Sequence, residues 1–370
     1  MKDTKKLFER RRLLIRGIIK HSDKEFGKGA TTLLSSLDVK SIVRKTIQTG
    51  SVELDRILAK DSSGKYGMPV GRIVGISGRE ASGKTTLGIH LMKSVQEMGG
   101  IARLVETEHA FDPNYAKALG LNLDELLISQ PDYLEQGLDM MRVSIDMFKQ
   151  AKEEYIVETG NEWDVPMVIV FDSIAGAPPK AEWEATSDED EQARALHARR
   201  LSRFFRNING PISSEQICLV CMNQIKTDTN VKYGSKDTEI GGAALKFHAS
   251  IRLDLRFAGV IHKTSSADSE KIGIESKART VKNKVMAPYK ETMLPIIFGQ
   301  GIDSGRALGN ALIKKGIIEK SGNTISVSIR TKKGEKLFRA VGKEKFLKEI
   351  KEAIKTPLYQ RKLEELLSDN

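Results

Sequence analysis

The segment Gly78-Arg79-Glu80-Ala81-Ser82-Gly83-Lys84-Thr85 fits the spacing G-x-x-x-x-G-K-[S/T] in full. Residue types at this spacing hold a polyphosphate. The glycines let successive backbone N–H groups turn inward around an anion, at the start of a helix whose dipole favours negative charge. Lys84 adds a point charge for the β- and γ-phosphates, the Thr85 hydroxyl is a ligand for Mg²⁺, and Thr86 falls near the α-phosphate. Asp172 closes the apolar run MVIVFD, with Ser173 behind it. A carboxylate at the C-terminal tip of a buried strand faces the ligand crevice of an open α/β sheet, where it holds the Mg²⁺. Asp and Ser also cap helices, but a phosphate loop needs an acid partner, which favours the metal role. Hydrolysis further requires a group that polarises water. Glu108, just past IARLVE, is the candidate, and its rival Glu106 falls inside that run. Asn223-Gln224 closes ICLVCMNQ and places an amide where it would feel a terminal phosphate.

These side chains need strands that end together. RIVGIS (72–77), IARLVE (101–106), MVIVFD (167–172), ICLVCMNQ (217–224), SIRLDLRF (250–257) and IESKARTVKN (274–283) read as strands, and a helical stretch follows the glycine-rich loop to about Met98. Apolar strands alternating with helices predict an α/β fold with a doubly wound, mostly parallel sheet. Residues 1–45 read as a helix and a short β-prone run, ATTLL (30–34), a candidate for pairing with a neighbour's sheet edge or else an ordinary intramolecular strand. Residues 46–300 form the core, and 301–370 a small lysine-rich α+β unit of short helices around TISVSI (324–329).

Composition narrows the functions. With 39% hydrophobic and 29% charged residues among 370, and no apolar run long enough for a membrane span, the expectation is a soluble, cytoplasmic protein. Two cysteines exclude a disulfide framework and suggest a reducing compartment. Cys218 and Cys221 have C-x-x-C spacing, but positions i and i+3 of a strand face opposite ways, so they read as buried apolar residues. Trp163 and Trp183 read as packing residues, and His109 as structural. The net charge of +11 is uneven: residues 1–28 carry +6, residues 306–370 carry +8, and the stretch between is −3. Basic ends suit a polyanion, nucleic acid first.

At these residues the chain resembles a RecA-type homologous recombinase. GREASGKTT, ETEHAFDPNYAKALG, LLISQPD, VIVFDSIAGAPPKAE, NQI, GGAALKFHASIRLD and VKNKVMAPYK follow in that family's order and spacing, from about residue 25 to 320. The resemblance implies a DNA-dependent ATPase that forms helical filaments on single-stranded DNA, pairs it with double-stranded DNA and exchanges strands, using ATP and Mg²⁺. It places Glu108 as the catalytic glutamate, Asp112 and Tyr115 beside the adenine, and Gln224 as the nucleotide sensor ahead of a second DNA loop running from Ile225 to Ile240 and closed by Gly241 and Gly242. Lys282 and Lys284 match lysines that reach a neighbour's γ-phosphate, and Phe247 an interface residue. Arg199 and Arg206 match arginines that approach DNA, and ATTLL the strand lent to the adjacent subunit. In the second loop, Lys226, Lys232 and Lys236 meet phosphate while Tyr233 stacks on bases. The first loop, 185–194, is longer and more acidic than the family pattern, so contact shifts to Arg194 and to the helix bearing Arg199, Arg203 and Arg206. The alternatives are a hexameric motor sharing this core, for which residues 1–45 are too short a helical domain, and a non-catalytic paralogue, against which Lys84, Glu108 and Asp172 argue.

Overall fold

Nine strands of one sheet carry the predicted site on their ends. They are β1 (Arg72–Gly78), β2 (Ile101–Glu106), β3 (Leu126–Ser129), β4 (Met167–Asp172), β5 (Ile217–Thr227), β6 (Ile251–His262), β7 (Lys271–Asn283), β8 (Glu291–Ile297) and β9 (Gly301–Ile302). Their order across the sheet is β9-β8-β7-β6-β1-β5-β4-β2-β3. The six from β6 to β3 run parallel, and β7, β8 and β9 are antiparallel additions. The computed structural model describes residues 2–33, 43–184, 190–227, 237–239, 243–263, 269–331 and 334–368. The chain divides into two units, Met1–Ile42 and Val43–Asn370.

In the first unit, α1 (Lys2–Phe26) ends where Gly27 takes φ 96°. Leu13, Leu14, Ile18 and Phe26 are exposed along it. Of the expected strand at 30–34, residues 30–33 are irregular and residue 34 lies outside the described residues. The physical reason is that an extended segment becomes a strand only where its backbone bonds along a sheet edge, and residues 30–33 carry no strand assignment.

In the second unit, α2 (Val52–Leu58), capped by Ser51, leads into the sheet. Around it lie α3 (Lys84–Glu97), α4 (Pro113–Ala118), α5 (Leu134–Thr159), α6 (Lys180–Glu184), α7 (Asp190–Ser214) and α8 (Ala244–His248). Strand residues alternate between two cores, as a sheet covered on both faces requires. Val168, Val170, Cys218, Val220 and Met222 join α3. Met167, Ile169, Phe171, Ile217, Leu219 and Cys221 join α5 and α7. The two cysteines therefore sit on opposite faces, fully buried; burial pushes the Cys218 thiol up to about 12 and Cys221 higher still. Among the described residues no group of three metal-ligating side chains forms, and no helix is long and apolar enough to cross a membrane.

The expected loops differ at their ends. Residues 190–194, read as loop, are the first turn of α7, and the second loop starts as a ribbon, because Asp237–Glu239 pairs antiparallel with Ile225–Thr227 of β5. Both changes follow from backbone N–H and C=O groups finding partners beside an existing element. Past β9, α9 (Ser304–Lys314), the antiparallel set β10 (Glu319–Ser321), β11 (Thr324–Thr331) and β12 (Gly334–Val341), α10 (Lys343–Ala353) and α11 (Pro357–Ser368) close a separate core around Leu312, Val327, Phe338, Phe346 and Leu363.

His90 ties the phosphate-loop helix to β9. Its Nε2 accepts a hydrogen bond from Ile302 N at 2.9 Å, and Gly50 and Gly301 leave the room its ring occupies. Burial, aided by Lys93, pushes its pKa down from 6.5 to about 4. Its contribution is whole above the unfolded pKa and is lost as pH falls from 6.5 toward 4. At 1.36 kcal/mol per unit, the loss between pH 7 and pH 5 is about 2 kcal/mol. His90→Gln keeps an acceptor that does not titrate, so urea unfolding at both pH values should show that much less pH dependence than wild type. Equal slopes would refute the assignment.

Candidate functional site

β1 delivers the chain into the phosphate loop at Gly78. A side chain there would meet Ser82 Oγ at 2.5 Å and Leu255 O at 2.6 Å, and one at Gly83 would meet Ile296 Cδ1 at 2.2 Å. Gly83 (φ 88°) and Ala81 (φ 55°) take left-handed backbone, the alternation that gathers N–H groups into a nest. Ser276 Oγ of β7 donates to Ser82 O at 2.8 Å and fixes the loop from behind. Among the described residues no side chain caps α3, which leaves its first N–H groups for an anion. Lys84 folds across the loop and donates to Gly78 O (3.0 Å) and Arg79 O (2.9 Å). Burial lowers its pKa, against Asp172, Glu108 and Glu80, which raise it.

Asp172, at the tip of β4, accepts from Thr85 Oγ1 at 2.7 Å. The pair is a hydroxyl and a carboxylate oxygen side by side, the hard-oxygen donor set Mg²⁺ takes, so these residues fit the ion. Burial, with help from Glu108 and Glu106, pushes the Asp172 carboxyl up to about 6, against Thr85 and Lys84. In the nucleotide-free protein this charge is therefore a cost, relieved as pH falls through 6 toward 3.8. Asp172→Asn should stabilise the nucleotide-free protein at pH 7 by about 1–3 kcal/mol. It should also abolish the Mg²⁺-dependent part of nucleotide affinity; a destabilised variant that still responds to Mg²⁺ would refute this.

Three adjacent strands converge on Glu108. Ser173 Oγ, beyond β4, donates to Glu108 Oε1 at 2.6 Å, and Gln224 Nε2, on β5, donates to the same oxygen at 3.4 Å. Thr107 Oγ1 donates to Ser173 O and accepts from Ser173 N. Glu108 itself is exposed, and with Thr85, Asp172 and Phe111 it lines one recess. Glu106 is spent elsewhere: buried, it accepts from Glu108 N, Ala110 N and Gln130 Nε2, which braces the turn. Asp112 caps α4, accepting from Asn114 N and Tyr115 N, and thereby sets the Tyr115 hydroxyl 3.0 Å from Thr86 Oγ1.

The remaining predicted residues lie elsewhere. Lys282 pairs with Arg252, which pairs in turn with Gly75 of β1. That is three residues back from Gly78, about 10 Å along the strands, and two strands across. It faces the opposite end of the sheet, where Lys282 Nζ donates to Lys246 O (2.6 Å) and Phe247 O (2.9 Å) and caps α8. Burial lowers the pKa of Lys282, and Lys284 and Arg252 lower it further. His248 is lowered by burial and then by Arg206, Lys282 and Lys284. Phe247, 73% exposed, stands beside this cluster of cations. Arg199, Arg203 and Arg206 are exposed along α7, whereas Arg200 pairs with Glu135 at 3.0 Å. Lys232, Tyr233, Lys236, Gly241 and Gly242 lie outside the described residues, and Lys226 is placed by its backbone alone, in β5.

Sequence reasoning missed Thr107, Ser276, Arg252 and Phe298. The first three look like ordinary strand residues until neighbouring strands are in register. Phe298, 58% exposed, follows the end of β8, two residues past Ile296, which packs on Gly83 of the phosphate loop. Only an aromatic residue next to a glycine signalled it.

The fold and site define the class: a P-loop nucleotide-binding protein on a doubly wound sheet, with Asp172 at the tip of β4 and Glu108 just past the tip of the adjoining β2. The family model described as RecA N-terminal domain matches residues 14–303. The chain is 40% identical over 300 residues to Protein RecA of Lactococcus lactis subsp. cremoris (strain MG1363), covering 81% of this chain and 71% of that one. It is 35% identical over 361 residues to Protein RecA of Thermus thermophilus, covering 97% of each. With Protein RecA of Geobacter sulfurreducens it shares 39% over 300 residues, 81% of this chain and 80% of that one. The chain belongs to the RecA family, and its function is that of a recombinase in DNA recombination and repair.

Proposed function

We propose that the protein is a DNA-dependent ATPase, hydrolysing ATP to ADP and phosphate, that polymerises head to tail on single-stranded DNA in the cytoplasm, pairs it with duplex DNA and exchanges strands. The observation that carries this reading is the division of the nucleotide machinery between two ends of one sheet. The phosphate loop, Asp172 and Glu108 occupy the C-terminal ends, and Arg252, Lys282 and Lys284 crowd the other. Lys284 and Arg252 disfavour the charge on Lys282, so an added anion is favourable at that end, and stacking one protomer on the next brings it to the neighbour's triphosphate. A head-to-tail contact of this kind does not close on itself and yields an open helix. ATP then strengthens the filament, and by linkage DNA and ATP strengthen each other.

Each group has a role on this reading. The phosphate-loop amides and Lys84 hold the β- and γ-phosphates, Tyr115 holds Thr86 in place, and the Phe298 ring offers a face to the base. Thr85 and Asp172 would hold Mg²⁺, which supplies charge neutralisation on the phosphate oxygens when bound. Glu108, held by Ser173 and Gln224, orients and deprotonates the attacking water. Arg199, Arg203 and Arg206 meet DNA phosphates with no sequence preference. A second support for the polymer lies at the β3 edge. There an apolar groove of about 660 Å³, lined by Leu127, Tyr133, Val143, Met147, Phe148 and Trp163, fits residues 30–34 of a second copy as an added strand.

The test is ATP hydrolysis with and without single-stranded DNA, beside electron microscopy. The expected result is a DNA-stimulated rate, lost in Lys84→Ala, with helical filaments. A rate indifferent to DNA, or closed rings, would overturn the reading.

A further inference from the structure

His197 is a buried histidine that nothing in the nucleotide site requires. It lies two turns into α7, 7% exposed, with Nε2 3.1 Å from Ile174 O. Its Nδ1 is buried and, among the described residues, has no hydrogen-bond partner. Burial lowers its pKa, against the Ile174 and Ala177 carbonyls and the carboxylates of Glu182 and Glu135. Burial thus disfavours the charged ring, and in the tautomer with the proton on Nε2 the ring donates to the Ile174 carbonyl.

The carbonyl it holds is not an ordinary one. Ile174 follows Ser173, whose hydroxyl grips Glu108 and whose backbone is fixed twice by Thr107 Oγ1. Ile174 N donates to Met222 O on β5, two residues before Gln224. Gly176 lies so close that a side chain there would meet Thr107 Oγ1 at 2.4 Å and Glu108 Cγ at 2.9 Å. The segment 173–177 is thus wedged between Glu108 and α7, so that a change in how Glu108 and Gln224 engage a terminal phosphate would press on it. Apolar contacts of Leu201 and Phe205 with the same core are non-directional and let α7 slide. The His197 hydrogen bond is directional and registers that displacement on the helix. Arg199, Arg203 and Arg206 are exposed immediately beyond it.

We propose that His197 is a positioning residue that couples the Glu108–Ser173 pair to α7, so that nucleotide state sets how the α7 arginines meet DNA. This rests on the function proposed above. The test is the affinity of the full-length protein for a fluorescent oligo-dT strand in a nonhydrolysable ATP analogue and in ADP. The ratio of the two is the coupling. His197→Leu removes the donor at similar volume, His197→Asn holds its amide too short to reach Ile174 O, and His197→Gln restores an N–H near Nε2. The leucine and asparagine variants should lose at least about tenfold in the ratio, and the glutamine variant should return to within about threefold of wild type. Nucleotide affinity should stay unchanged in all three. A leucine variant with the wild-type ratio, or a glutamine variant as impaired as asparagine, would overturn the proposal. Should the leucine variant not fold, the asparagine–glutamine pair decides alone. A wild-type ratio of one would instead sink the functional reading itself, which keeps the two failures apart.

Discussion

Replacing Glu108 by glutamine is expected to slow ATP hydrolysis by about 10²–10⁴-fold while leaving nucleotide affinity within a small factor of wild type. The substitution preserves volume and leaves an oxygen to accept from Ser173 Oγ, which now holds the carboxylate at 2.6 Å. It removes only the ability to take a proton from water. Both donors, Ser173 and Gln224, meet Oε1, so among the described residues Oε2 has no hydrogen-bond donor and is the oxygen left to face a nucleophile. On the proposed reading binding does not depend on this group, because the phosphate loop and Lys84 would hold the nucleotide from the other side of the recess. On the function proposed above phosphate loss loosens the polymer, so filaments of this variant on single-stranded DNA should also persist long after wild-type filaments have turned over. Phosphate release and titration with a fluorescent ATP analogue measure the two quantities. A variant with the wild-type rate would remove Glu108 from the mechanism and reopen the question of Glu106, whose carboxylate is already committed to two backbone amides and Gln130.

How much of this was legible depends on the distance over which each feature is specified. The phosphate loop is local: eight consecutive residues fix its backbone, and the apolar run before it and helical spacing after it announce strand and helix. Asp172 was readable for the same reason, as the polar end of a six-residue buried run. Convergence was not. Glu108, Ser173 and Gln224 come from three strands, and only register, Val105 beside Phe171 and Phe171 beside Cys221, brings their ends together. Edge elements were equally hard to see. β8 is interrupted by Pro295, and β9 has two residues, so neither shows the apolar periodicity that β4 does. The segment 30–34 illustrates the opposite case, where a β-prone sequence stays irregular at 30–33 because its pairing partner belongs to another molecule on the reading proposed here.

The trans assignment of Lys282 and Lys284 makes the other large prediction, and it does not depend on absolute rates. Changing both to alanine should lower DNA-stimulated hydrolysis by about 10³-fold, the scale on which a cation supplied across an interface acts on a transferring phosphoryl group. A single protomer should still bind nucleotide, because no atom of its own phosphate loop is touched. Part of any loss could come from uncapping α8, since Lys282 Nζ holds the Lys246 and Phe247 carbonyls. Lys284→Ala alone leaves that cap in place and serves as the control. Mixing then decides between cis and trans. A chain lacking both lysines keeps Glu108, and a chain with Glu108→Gln keeps both lysines, so each alone is inactive. In a random head-to-tail polymer of equal parts, about a quarter of the interfaces join an intact Glu108 to intact lysines from the next protomer, and hydrolysis should return to about that fraction of wild type. If the lysines served their own protomer's nucleotide, no mixture would contain a complete site, and the mixed sample would stay as inactive as its components.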